Sequence, residues 1–190
     1  MALSKIGSDG LVNDAVGPNQ LDETANYDFT GTVTGAGGVN TPAFLIRKTS
    51  HQYLGDGTTT KITFDASAKD VDTNSDWDAT NNRFIPSVAG KYYFFFKGQA
   101  SSTTGNSALE TTEAMLYKNG SVVSSSGFAI GFESNNGRFA SPSTFTIIDM
   151  NGSTDYVEAY HSIYVSSGTP QSLGGTSQWS GLFGGYKIIT

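Results

Sequence analysis

The sequence predicts an all-β fold in which antiparallel strands build a sandwich or jelly roll. Charged residues make up only 15% of the chain, while Gly, Ser, Thr and Asn are abundant, as in turn-rich β proteins. Short apolar runs alternate with turn residues at a regular spacing that is typical of these folds. No stretch carries an amphipathic helical period longer than about two turns.

By composition, the chain divides into a sparse N-terminal segment, 1–40, and an apolar-rich body, 41–190. The first segment has few apolar side chains, separated by Gly, Asp and Asn, and cannot bury a core alone. Two interpretations of it stay open: a disordered tail, or an extended arm that becomes ordered only against other chains. The body is long enough for one well-packed domain.

Nine strands are predicted in the body, joined by turn signals at 55–57, 119–120, 135–137 and 151–152. An Asn-Gly pair between two apolar runs is the strongest short hairpin signal, and it occurs at 119–120 and again at 151–152. Ser-rich stretches at 101–107 and 124–126 are predicted to be loops. The predicted strands are 43–47, 61–64, 83–85, 91–98, 112–118, 122–130, 143–149, 156–162 and 181–189.

Five consecutive aromatic residues at 92–96 predict a strand that is apolar on both faces. One face can bury into the domain's own core. Because a strand of an antiparallel sandwich usually has only one apolar face, the second face requires another partner. We predict that this partner is another copy of the chain. The alternative is that both faces are core between the two sheets of a monomer.

Charge and composition exclude several classes of function. The net charge is −6, and the basic residues are scattered, which argues against a nucleic-acid groove. The chain has no cysteine, which excludes disulfides and thiolate metal sites and favours assembly in a bacterial cytoplasm. The N-terminus lacks the apolar core of a signal peptide, and no segment is apolar enough to insert into a membrane.

Residues 70–78 form the densest set of oxygen ligands in the chain. Carboxylate or amide oxygens at alternate positions are typical of calcium loops, but Ser75 and Asn81 replace the Gly and Glu of an EF-hand. The segment is therefore predicted to be a solvated acidic loop leading to buried Trp77, and calcium binding there stays open. The two histidines, His51 and His161, are too far apart in sequence to indicate a metal site, so no metal or cofactor is predicted.

The sequence predicts no catalytic residue. No serine lies in a Gly-x-Ser-x-Gly elbow. Asp149, Asp155 and Glu158 cluster near one turn and could form a glycosidase pair, but we predict that they are solvent-facing charges on an edge strand. Four aromatic residues are predicted near loops, where they would suit glycan or protein recognition; core packing is the alternative for each. These are Tyr53, Tyr160, Tyr164 and Trp179.

Six segments of the body, taken in order, resemble the trimeric jelly roll of the complement C1q head and the tumour necrosis factor superfamily. The resemblance implies a homotrimer in which Tyr92, Phe94 and Phe96 point into the core. It also implies that Tyr93 and Phe95 point towards the threefold axis. The six segments are Pro42-Ala43-Phe44, Trp77-Asp78 with 82–86, Gly90-Lys91-Tyr92-Tyr93-Phe94, 116–120, 151–157 and Ser180-Gly181-Leu182-Phe183.

The N-terminal arm resembles segments of bacteriophage fibre and virion-surface proteins. The similar stretches are 2–7, 14–21 and 27–33, which match thin, intertwined, trimeric attachment regions. The resemblance implies that the arm docks on other virion proteins through its apolar side chains. These attachment residues are Leu3, Ile6, Leu11, Val16 and Leu21.

The sequence therefore predicts a non-enzymatic structural protein of a bacteriophage virion, assembled in the host bacterial cytoplasm. It would be a homotrimeric capsid-decoration or tail-fibre/tip protein whose C1q-like head stabilises the particle or adheres to a host surface glycan or protein. Two alternatives stay open: a glycan-cleaving tailspike component, and a secreted C1q-like recognition domain of a cellular organism. Calcium binding at the trimer axis also stays open.

Overall fold

A computed structural model describes residues 40–65, 67–104, 108–130, 137–175 and 181–188. These residues form antiparallel strands and contain no helix, which confirms the all-β prediction. Accordingly, this part of the chain has no helix that could span a membrane. The predicted attachment residues of the arm and Trp179 lie outside the described residues.

Fifteen strands occur in the described part of the chain, and nine of them are five residues long or shorter. They are β1 Ala43–Arg47, β2 Gln52–Tyr53, β3 Thr60–Lys61, β4 Lys69–Asp72, β5 Trp77–Asp78, β6 Arg83–Phe84, β7 Gly90–Lys97, β8 Ala100–Ser102, β9 Leu109–Lys118, β10 Ser121–Ala129, β11 Phe139–Ala140, β12 Ser143–Met150, β13 Val157–Val165, β14 Pro170–Ser172 and β15 Leu182–Lys187.

Two large antiparallel sheets form the sandwich. One has the strand order β12-β7-β15-β1-β4, and the other has the order β10-β9-β13-β6-β5, with β3 also paired to β13. A third sheet has four strands in the order β11-β8-β14-β2. Each of them is the neighbour along the chain of one strand of the five-stranded sheet: β11 of β12, β8 of β7, β14 of β15 and β2 of β1. The lateral order of the strands is therefore the same in both sheets. The third sheet therefore extends the five-stranded sheet beyond a bend. Backbone bonds cross this bend, including Gly98 N–H to Pro142 O (3.0 Å) and Leu173 N–H to Gln99 O (2.8 Å).

The aromatic strand β7 lies inside the five-stranded sheet, between β12 and β15. Tyr92, Phe94 and Phe96 are at most 1% exposed and point into the core between the two large sheets, as predicted. The same core holds a close aromatic stack, in which the ring centroids of Phe44 and Phe84 are 4.1 Å apart. Burial of these large rings supplies much of the apolar area that stabilises the sandwich.

The Asn-Gly turns at 119–120 and 151–152 have different roles. Asn119 and Gly120 have positive φ angles of 51° and 80° and form the predicted tight hairpin between β9 and β10. Gly152, with φ 73°, instead lies on the connection from β12 to β13, which belong to different sheets. A Cβ atom at Gly152 would lie 2.3 Å from the Ala89 backbone nitrogen, so this turn requires glycine.

The prediction that the Ser-rich stretches are loops was wrong for the described serines. Ser101 lies in β8, and residues 124–126 lie in β10. Their hydroxyls find partners within the sheets: Ser102 donates to Ser167 O at 2.6 Å, and Ser124 donates to Phe145 O at 2.9 Å. Such bonds satisfy the polar groups that would otherwise disfavour serine in a packed strand.

His161 is a packed core histidine. Its ring is fully buried, with Nε2 2.7 Å from the Thr112 hydroxyl and Nδ1 3.2 Å from the Ser172 hydroxyl. Burial, together with the nearby charge of Lys48, lowers the pKa of His161 to about 3. The imidazole therefore stays neutral in the folded protein under conditions where a free histidine would be protonated.

We predict that His161 makes folding sensitive to acid. The unfolded chain binds a proton at His161 below pH 6.5, whereas the folded chain does so only near 3. The free energy of unfolding should fall by about 1.4 kcal/mol per pH unit as pH drops through that window. His161→Asn should reduce this slope, because asparagine does not titrate. Urea titrations of both proteins across the window, at one protein concentration, measure the difference; equal slopes would refute the prediction.

Candidate oligomer interface on the five-stranded sheet

The outer face of the five-stranded sheet carries a continuous apolar row. It crosses all five strands, and each residue in it lies directly opposite the next residue on the neighbouring strand. The row runs Val71, Leu45, Gly184, Phe95, Phe145, from β4 to β12. The edge strands therefore carry apolar side chains on this outer face.

A second apolar row lies beside the first. In register, it runs Ala43, Tyr186, Tyr93, Ile147. Tyr93 is the centre of an aromatic group, with ring centroids 5.5 Å from Tyr186, 6.1 Å from Phe145 and 6.2 Å from Phe95. Aromatic rings at these separations pack favourably and hold one another in place.

These side chains are exposed to an extent that is unusual for large apolar residues. Phe145 is 66% exposed, Ile147 59% and Tyr186 41%. Contiguous apolar surface of this kind is uncommon on monomers and marks interaction sites. We call the set the outer apolar face. It consists of Leu45, Val71, Tyr93, Phe95, Phe145, Ile147 and Tyr186.

Gly184 shapes the centre of the outer apolar face. A Cβ atom at this position would lie 2.7 Å and 2.8 Å from two ring carbons of Phe95 and 3.0 Å from the Phe44 carbonyl oxygen. The Phe95 ring therefore lies across the glycine and occupies the space of the missing side chain. This packing keeps the face flat where the aromatic strand crosses it.

Ion pairs border the outer apolar face at both ends. Lys91 Nζ lies 2.9 Å from Asp149 Oδ1 at one end, and Arg47 pairs with Asp70 at the other. Protein interfaces commonly have an apolar centre and a polar rim, so this pattern favours an interface.

The face continues past the bend of the sheet into a cleft of about 650 Å³. All four bending chain segments contribute to its lining: Gln99, Ser141, Leu173 and His51, joined by Phe139. The Gly174 N–H donates to His51 Nδ1 at 3.1 Å, which joins two of these segments across the cleft lining.

The two residues predicted for the interface, Tyr93 and Phe95, both lie on this face, and both are half-buried. Their role at a threefold axis stays a prediction. Phe145 and Ile147 were missed, although their strand shows a clear alternation. Their neighbour Thr144 is buried at 3%, and Ile148 and Met150 of the same strand pack in or against the core. Phe145 and Ile147 therefore lie on the outer side of β12. The alternation of polar and apolar residues predicted a strand, but it could not show which side of that strand faces the core.

The interpretation of the three carboxylates as solvent-facing charges on an edge strand was wrong for Glu158. This residue is 5% exposed and lies on β13, an internal strand. Hydrogen bonds from Lys118 and Asn119 lower the pKa of Asp155, which disfavours its use as a proton donor. Each carboxylate has its own lysine: Asp149 with Lys91, Asp155 with Lys118 and Glu158 with Lys61, all at 2.9 Å.

The acidic segment 70–78 is a loop only at 73–76, between two strands. Its first part belongs to β4, which pairs with β1, and its last part is β5, which pairs with β6. Trp77 is buried, as predicted, but the carboxylates bond internally: Asp72 accepts from the Asp76 N–H at 2.9 Å, and Asp76 accepts from the Ser87 N–H at 2.8 Å. Within the described residues, no group of three or more His, Cys, Asp or Glu side chains is placed to hold a metal ion.

The aromatic residues predicted near loops have different environments. Tyr53 is 65% exposed and Tyr164 48% exposed. Tyr160 instead packs on Tyr117, with ring centroids 4.1 Å apart, and burial raises its pKa to about 12. Tyr53 and Tyr164 are therefore available for surface contacts.

Comparisons with known proteins identify the fold. No protein-family model and no curated protein matches the sequence. Among solved structures, the chain is similar to the crystal structure of murine APRIL at pH 5.0, with a TM-score of 0.52 and 10% sequence identity. The match covers 77% of this chain and 99% of that one. It confirms the predicted antiparallel jelly roll of the C1q and tumour necrosis factor type.

We predict that Gly184→Ala is destabilising because of one specific ring. The added methyl group must displace Phe95, at a cost of roughly 1–3 kcal/mol. The same substitution in a Phe95→Ala background should cost clearly less, because the ring is no longer there. Chemical denaturation of the wild type, both single variants and the double variant measures this coupling. If the two single losses of stability simply add in the double variant, Gly184 does not act by making room for the Phe95 ring, and the prediction is wrong.

Proposed function

We propose that the chain is a non-enzymatic structural protein of a bacteriophage virion, a homotrimer that decorates the capsid or forms part of a tail fibre or tip. The observation that carries the proposal is the outer apolar face, because an exposed group of aromatic and aliphatic side chains requires a covering partner. The covering partner is a second copy of the same chain, packed around a threefold axis. Tyr93 and Phe95 lie near the centre of that contact.

Two features support a closed ring of copies. The fold type agrees with a homotrimer, which the resemblance of the body also implies. In addition, the apolar face reaches the edge strand β12, where Ser124 of β10 bonds to the Phe145 carbonyl. Because β12 is the edge strand of its sheet, one copy can place this edge against the face of the next. Such head-to-tail contacts generate rings when the rotation closes.

The assignment to a virion rests on the sequence. The N-terminal arm resembles virion attachment segments, and the cysteine-free, acidic composition suits assembly in a bacterial cytoplasm. In this proposal the arm docks on other virion proteins. The six-stranded sheets of three heads then face outward, and weak contacts at three sites combine into useful avidity. The separate lysine partners of Asp149, Asp155 and Glu158 favour this adhesive role over a glycan-cleaving one.

We predict that the wild-type protein has a solution mass of three times 20.1 kDa and that Ile147→Asp reduces it to 20.1 kDa. A carboxylate buried within an apolar contact loses its hydration without gaining a partner. Because Ile147 is 59% exposed in the single chain, the variant should still fold. Native mass spectrometry and light scattering give the mass, and circular dichroism checks the fold.

Val122→Asp is the matched control. Val122 is 55% exposed on β10, in the other large sheet, so the same change there should leave the trimer intact. A monomeric wild type would refute the trimer. A trimer that survives Ile147→Asp would place the interface elsewhere.

We further predict that deletion of residues 2–38 leaves a folded, trimeric head that no longer joins the particle. The apolar contacts of the head come from residues after 40, whereas the predicted attachment residues all lie before it. Solution mass tests the first part, and co-sedimentation with virions assembled from the full-length and truncated forms tests the second. Incorporation of the truncated form would refute the role of the arm.

A further inference from the structure

A second surface site lies on the opposite side of the sandwich, on the outer face of the six-stranded sheet. It is a cavity of about 280 Å³ over β13, β9 and β10. Two register rows form its base: Tyr164, Thr111 and Ala129 in one, and Ser162, Glu113 and Gly127 in the other. Because β13 alternates, these side chains point away from the core that holds His161. The site stays open when the outer apolar face is covered.

The lining of this cavity combines two aromatic residues, Tyr164 and Phe128, with several hydrogen-bonding groups. Thr111 and Ser162 supply hydroxyls that can donate and accept, and Glu113 supplies a carboxylate that can accept two bonds. A Cβ atom at Gly127 would lie 2.7 Å from the Thr112 carbonyl oxygen and 3.2 Å from Glu113 Cβ, so β9 and β10 approach closely beside Glu113. A pocket with a flat apolar wall and a few placed polar groups is suited to a small polar ring with one apolar face.

The aromatic wall is held in place before any ligand binds. A Cβ atom at Gly57 would lie 2.3 Å from a ring carbon of Tyr164, so the ring packs directly against that turn. The turn is itself fastened to β13: the Gly57 N–H donates to Ile163 O at 2.9 Å, and the Val165 N–H donates to Asp56 Oδ1 at 2.9 Å. Tyr164 nevertheless remains 48% exposed. A fixed, half-exposed tyrosine offers a large contact at low cost in conformational entropy.

We propose that this cavity binds a neutral hexopyranose unit of a cell-surface glycan, with the apolar face of the sugar on Tyr164 and its hydroxyls on Glu113, Ser162 and Thr111. The proposal deepens the adhesive role given above and rests on it. The Glu113 carboxylate and the net charge of −6 disfavour sugars that carry a carboxylate or sulfate, because like charges would meet without compensation. Neutral sugars pair with the carboxylate through their hydroxyl protons.

The test uses the full-length protein on immobilised oligosaccharides that end in glucose, galactose, mannose, glucuronic acid or sialic acid. We expect binding to at least one neutral sugar and preference over both acidic ones. Tyr164→Ala and Glu113→Gln should each weaken that binding by at least about tenfold, the effect of losing one good contact. Tyr164→Phe should keep it, because the ring remains. Tyr53→Ala is the control, since Tyr53 is 65% exposed but lies outside the cavity.

Three outcomes would overturn the proposal: no binding to any neutral sugar, stronger binding to the acidic sugars, or equal losses for Tyr164→Ala and Tyr53→Ala. The trimer can be judged separately, because Tyr164→Ala and Glu113→Gln should leave the solution mass unchanged. The monomeric Ile147→Asp variant should still bind the free monosaccharide in saturation-transfer NMR while losing retention on the array. If the wild-type protein is monomeric and still binds sugar, the trimer is refuted and the sugar-binding site is supported.

Discussion

Strand β7 is apolar on both faces, and much of the architecture is a response to that constraint. Its even-numbered aromatic residues, Tyr92, Phe94 and Phe96, complete the core between the large sheets. Its odd-numbered ones, Tyr93 and Phe95, leave the five-stranded sheet with a second apolar side that no other part of the described chain covers. Burial of apolar surface is the dominant favourable term in association, so this side favours contact with another molecule.

The strands on either side of β7, namely β12 and β15, extend the apolar surface on its outer side. On β12, Thr144 points inward, while Phe145 and Ile147 point outward. On β15, Gly184 leaves space for the Phe95 ring, and Tyr186 packs beside Tyr93. Features on three adjacent strands therefore produce one continuous apolar surface. Agreement among independent positions is stronger support for an interface than any single exposed aromatic residue.

The interior changes character along the sandwich. Stacked aromatic rings fill the core around Phe44 and Phe84, whereas the end near the bend buries polar groups, among them His161 and Lys48. Burial lowers the pKa of Lys48 to about 8, and its ammonium donates to Thr63 O at 2.8 Å. The bent end is therefore where changes in pH should act on stability, while the aromatic end should depend mainly on packing.

The two outer surfaces of the sandwich differ in a way that separates assembly from recognition. The five-stranded sheet presents aromatic and aliphatic side chains bordered by ion pairs. The six-stranded sheet presents tyrosines among charges, with Glu158 paired to Lys61 and the Arg83 guanidinium 4.6 Å from the centre of the Tyr156 ring. A surface of this second kind remains hydrated and is suited to polar ligands. The two proposals made here use opposite faces and do not compete for residues.

The amino-acid sequence alone determined the fold class, the span of β1, the alternation of 92–96 between two apolar faces, and the hairpin at Asn119 and Gly120. These features follow from local chemistry: periodicity, aromatic content and the positive φ that Asn and Gly tolerate. Only the tertiary structure decided that Glu158 is buried and that Phe145 points outward. The side of a strand that faces the core depends on register with strands distant in sequence, and local patterns do not encode that register.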